Sequence, residues 1–118
     1  MLGTFVLSAG YHDAYFTKAQ KIRRLIQEKT NEMFKDYDFV ISPTTPHTAF
    51  EIGTKQTDPT VMYLEDIFTA QANLAGNPAI SIPILNHSNG MSIALHIMAD
   101  NFKEADLLAF SKYLIKEV

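Results

Sequence analysis

The chain has 118 residues, 47% of them hydrophobic and 19% charged, with a formal net charge of −3. Such a length fits one small domain, and such a composition excludes a disordered tail. With no cysteine there are no disulfides or thiolate metal sites, and no apolar run reaches the roughly eighteen residues of a membrane span. The opening "MLGTFVLSAGYHDAYF" lacks the basic start of a secretory signal, so neither export nor membrane insertion is expected and the cytoplasm is the expected compartment. His12, His47, His87 and His96 show no helical metal-ligand spacing, and no structural metal is expected.

Charge is unevenly spread. Residues 1 to 35 carry six Lys/Arg against three Asp/Glu, and the remainder four against ten. The basic density peaks at "KAQKIRR" (18–24), where a phosphate backbone would find cations. A solvated helix face is the preferred reading, because Glu28 and Glu32 follow and no aromatic stacking platform is interleaved.

From Tyr11 to about Lys35, apolar residues recur at three-and-four spacing through Tyr15, Ala19, Ile22, Leu25, Ile26, Met33 and Phe34, which predicts an amphipathic helix. "YDFVISP" (37–43) predicts a short strand buried on both faces and stopped by Pro43. The Pro-rich stretch 43–60 has no helical period and predicts an ordered surface loop. Asp58 followed by Pro59 is a helix start, and the helix should run toward Gly76, its stop. "AISIPIL" (79–85) and "MSIALHIMA" (91–99) predict two strands paired antiparallel through a hairpin at Asn89-Gly90. From Lys103, the spacing of Ala105, Leu107, Leu108, Phe110, Tyr113, Leu114 and Val118 predicts a closing helix. The expected class is α/β, in the order α-β-α-β-β-α.

No residue is assigned a catalytic role. There is no G-x-S-x-G elbow and no phosphate-cradling glycine loop, and none of the six serines has a base at a diagnostic position. A Ser/His pair assembled only by folding stays open. Asp66 has two readings. On a continuous helix it lies nearly opposite Val61, Leu64 and Phe68, which makes it a solvated residue. If a further layer of protein covered that face, its carboxylate would instead bind an ammonium group.

The elements "LSAGYHDAYFTKAQK", "SPTTP", "DPTVMYLEDIFT" and "NLAGNPAISIP" together resemble the amidase signature family, and within it the glutamine-hydrolysing subunits of tRNA-dependent amidotransferases. The resemblance runs from the first residue to the last. It implies one part of an α/β/α layered fold with a mixed sheet, in which residues 1–118 are a C-terminal segment and not a complete domain, and Met1 an internal methionine. It also implies a parent enzyme that hydrolyses glutamine and passes ammonia to partner subunits, which convert Glu-tRNA(Gln) to Gln-tRNA(Gln) with ATP and Mg²⁺. The family's Ser, cis-Ser and Lys triad has no counterpart in this sequence, so the segment alone is expected to be inactive, to bind no cofactor itself and to be prone to self-association. Asp66 matches the acidic residue that holds the α-amino group of glutamine. The sequence departs from the family at Gly90-Met91-Ser92-Ile93-Ala94-Leu95-His96, where G-x-P-x-G-L-Q is common. It also has Gln71 near a common proline, so the helix through Asp66 could be continuous or could break around Thr69. A hydrolase of the same family acting on another amide, and a non-catalytic interaction module, are the alternatives.

Overall fold

The computed structural model describes residues 15–54 and 58–117. Its elements are α1 (Thr17–Met33), β1 (Phe39–Pro43), α2 (Pro59–Leu64), α3 (Ala70–Ala75), β2 (Ala79–Asn86), β3 (Ser92–Ala99) and α4 (Glu104–Glu117). The α/β class and the strand positions match the expectation. The long helix expected from Tyr11 is seen from Thr17, and its first positions lie outside the described residues.

The apolar positions of α1 are less covered than their spacing suggests: Ile22 and Leu25 are 49% and 54% exposed, and Thr30 is its one buried residue. The reason is geometric. α1 packs mainly on α3, and at 1.5 Å per residue a helix about 9 Å long cannot cover one of about 25 Å. Where they meet, the contact is polar: Gln71 Nε2 donates to Thr30 Oγ1 (3.1 Å), Arg23 Nε to Leu74 O (3.0 Å) and Gln27 Nε2 to Ala75 O (3.0 Å). Arg23 and Gln27 thus satisfy carbonyls at the end of α3 that no helical N–H can reach. Arg24 pairs with Glu28 and Lys29 with Glu32 along the same helix, as a solvated charged face does.

The sheet has the order β1-β3-β2, and both pairings are antiparallel. β2 and β3 form the expected hairpin, through a five-residue loop at 87–91. Asn89 keeps negative φ, Gly90 alone sits at φ +80°, and Met91 N–H donates to Asn89 Oδ1 (3.0 Å). A bulge between Pro83 and Leu85 takes up the extra residue. β1 corrects the expectation of burial on both faces. It is an edge strand with Ile41 49% exposed, and it ends on Pro43, which has no N–H to offer a ladder.

Side-chain alternation then fixes the layers. Ile82, Ile97 and Ala99 meet Leu107 of α4 in the buried core, with Phe39, Ile80, Leu95, Phe110 and Leu114 packed around them. Phe39 and Phe110 stack at 4.5 Å with planes 11° apart. On the opposite face of β3, His96 and Met98 are buried, and His96 lines a cleft together with Ala72 and Asn73 of α3.

The helix expected from Asp58 to Gly76 is broken in two. Its start and stop are as read: Asp58 accepts from Thr60 N–H (2.8 Å), hydrogen bonding from the Thr60 side chain and then its N–H lowers the Asp58 pKa from its ordinary value, and Gly76 ends α3 at φ +88°. A Cβ at Gly76 would meet nothing within 4 Å, so the dihedral and not space demands glycine there. Between the halves, residues 65–69 form a turn in which Asp66 O accepts from Thr69 N (3.2 Å), Ala70 N (3.0 Å) and Thr69 Oγ1 (3.3 Å). Thr69 stands at the start of α3, but its hydroxyl points back to Asp66 instead of capping forward.

Candidate functional site

Asp66 sits on this turn with its side chain exposed. Exposure agrees with the helical reading, yet the cause differs: the carboxylate is held out by a turn, and the main chain beneath it is fixed by the three hydrogen bonds to its carbonyl. Such a residue is a rigidly mounted anion whose strength depends on what covers it, because an exposed ion pair in water is worth little.

Its neighbour Glu65 turns the other way. Glu65 Oε1 accepts from His47 Nδ1 at 2.9 Å, with side-chain exposures of 23% and 66%. His47 belongs to the loop after β1, which is itself held at several points. Thr44 N donates to Ala94 O (3.0 Å), Thr44 and Ser81 share a hydrogen bond between hydroxyls (2.7 Å), Thr45 Oγ1 donates to His47 O (2.8 Å), and Asn89 Nδ2 donates to Thr48 Oγ1 (3.2 Å). Residues 44–48 of the expected loop therefore form a strut between the sheet and the turn that carries Asp66, while residues 55–57 lie outside the described residues. Sequence spacing gave no sign of the His47–Glu65 contact.

Beyond the turn, α3 and the sheet enclose a polar cleft of about 280 Å³ lined by Thr69, Asn73, Asn77, Ser81 and His96 among others. Asn77 Nδ2 donates to Ala99 O (3.1 Å), while its Oδ1 is buried with no partner among the described residues. Folding does assemble a Ser/His pair here, Ser42 Oγ and His96 Nδ1 at 3.5 Å on facing positions of β1 and β3. The separation is at the limit of a hydrogen bond, and among the described residues no carboxylate engages the imidazole. The two side chains meet across neighbouring strands.

Burial lowers the pKa of His96 from the ordinary 6.5. The unfolded chain therefore binds a proton that the folded chain resists, and stability should be complete above pH 6.5 and fall as pH drops through and below that value. Thermal unfolding of the wild type should lose more on acidification than that of His96→Gln, and parallel losses would contradict this. Among the described residues no group of three His, Asp or Glu could hold a metal ion, and no helix is long and apolar enough to cross a membrane.

Residues 1–108 match the Amidase family, and the chain belongs to it. It is 55% identical over 108 residues to a glutamyl-tRNA(Gln) amidotransferase subunit of Halothermothrix orenii, a match covering 92% of this chain and 22% of that protein. The corresponding subunit of Brevibacillus brevis is 52% identical over the same shares. Among solved structures, the equivalent glutamyl-tRNA(Gln) amidotransferase subunit from Thermotoga maritima superposes with a TM-score of 0.76 at 47% identity, over 91% of this chain and 23% of that one. The chain thus spans a little over a fifth of the length of the curated relatives it matches.

Proposed function

We propose that this chain is the C-terminal segment of a glutamine-hydrolysing amidotransferase subunit, and that it supplies scaffold and one wall of the glutamine pocket. The observation that carries the reading is the 55% identity to a glutamyl-tRNA(Gln) amidotransferase subunit, sustained over nearly the whole chain. A second feature supports it: the radius of gyration is 17.4 Å, against roughly 13 to 14 Å for a compact domain of this length. Half-exposed Ile22, Leu25 and Ile41 fit a segment whose remaining cover lies in other parts of a larger domain, and the isolated segment should self-associate through them.

On this reading the complete subunit hydrolyses glutamine in the cytoplasm. Asp66 receives the α-amino group, with a charge-assisted hydrogen bond as the recognition element. The nucleophile and its base lie elsewhere in the subunit. ATP and Mg²⁺ serve the partner subunits, which use the ammonia to amidate Glu-tRNA(Gln).

The test is made on the complete subunit purified with its partners, supplied with glutamine, ATP, Mg²⁺ and Glu-tRNA(Gln). Gln-tRNA(Gln) should form. Hydrolysis of other amides without tRNA amidation would favour the alternative hydrolase. The segment alone should release no ammonia from glutamine above a buffer blank, because the Ser, cis-Ser and Lys triad of the family has no counterpart in its sequence. Release that survives repurification would overturn that expectation.

A further inference from the structure

We infer that the His47–Glu65 contact is a clip that aims Asp66, which makes His47 and Glu65 positioning residues for substrate recognition. The inference rests on the reading of Asp66 as the ammonium site. Glu65 and Asp66 are adjacent on one tight turn, so a hold on the Glu65 side chain restrains the backbone from which Asp66 projects. Glu65 is drawn inward by the 2.9 Å contact with His47 Nδ1, and Asp66 is correspondingly turned outward.

The turn is held from both sides. After Asp66, its carbonyl is bound by Thr69 N, Ala70 N and Thr69 Oγ1. Before it, the hold on Glu65 comes from His47, 18 residues earlier. His47 can serve as an anchor because its loop is tied to β3 through Ala94, to β2 through Ser81 and to the hairpin loop through Asn89. An Nδ1–H donates to the carboxylate both in the protonated ring and in the matching neutral tautomer, so the clip needs no particular protonation state. A contact between partly exposed groups is modest in strength. Its effect should be on where Asp66 points and not on whether the domain folds.

The test uses the complete amidotransferase. His47→Ala and Glu65→Gln should each raise the KM for glutamine about two- to fivefold, with kcat near wild type, amidation from free ammonia unchanged and the thermal midpoint unmoved. His47→Lys, which offers Glu65 a new cation, should restore the KM. The double variant should be no worse than either single one, since both remove the same contact. An unchanged KM in His47→Ala, while Asp66→Asn is impaired, would overturn the clip and leave the Asp66 reading standing. Equal losses with glutamine and ammonia would make the contact merely structural and overturn the clip as well. A silent Asp66→Asn would remove both.

Discussion

Asp66→Asn in the complete amidotransferase should lower kcat/KM for glutamine about thirtyfold, the equivalent of about 2 kcal/mol, while leaving folding intact. The substitution keeps the side chain's shape and removes its charge. Asp66 is exposed and has no ion pair among the described residues, so no internal contact is lost with the charge. On the proposed reading, what would be lost is attraction for a substrate ammonium in a pocket that the rest of the subunit would close. Free ammonia bypasses glutamine hydrolysis and should support amidation by the variant at close to the wild-type rate. Equal losses with both nitrogen sources would assign Asp66 to subunit contact or structure, and unaltered glutamine kinetics would return it to a solvated surface residue.

The second large effect is on stability. Ile97 is fully buried on β3, the strand bonded on both sides, and packs with Ile82, Ala99 and Leu107. Ile97→Ala should destabilise the protein by about 3 to 4 kcal/mol, the sum of lost transfer energy and an incompletely collapsed cavity. Ile52→Ala is the matched control, because Ile52 is fully exposed and the same truncation there should change stability by less than about 0.5 kcal/mol. Denaturant midpoints of the two variants should separate clearly. Similar midpoints would mean that the core identified around Ile97 is not the one holding the protein together.

The elements with local signals were readable from sequence. Gly90 marked the hairpin, Asp58-Pro59 a helix start and Gly76 a helix stop, and each works through its own backbone geometry. The break at residues 65–69 was harder to read, because apolar residues continue through it and the deciding hydrogen bonds to the Asp66 carbonyl leave no periodic trace. β1 misled for a different reason. An apolar run shows that side chains can be buried, but which faces are covered depends on elements distant in sequence, and Ile41 is left half exposed among the described residues. At the candidate site, the spacing pointed to an exposed Asp66, though a turn and not a continuous helix holds it out. The contacts of His47 with Glu65 and of Ser42 with His96 did not, since folding brings together residues 18 and 54 positions apart with no motif joining them.

The placement of β1 beside β3 carries a consequence in time. β2 and β3 can pair as soon as their short loop has formed, on a scale of microseconds. β1 cannot, because Ser42 must wait for His96, 54 residues later. At a synthesis rate of roughly 5 to 20 residues per second, that interval is about 3 to 10 s. For those seconds the backbone N–H and C=O groups of "FVIS" lack β3, their partner among the described residues, which is the condition in which strands pair with the wrong partner. The wait of β1 for β3 is then set by the speed of translation across residues 43 to 96, which is far slower than the hairpin itself.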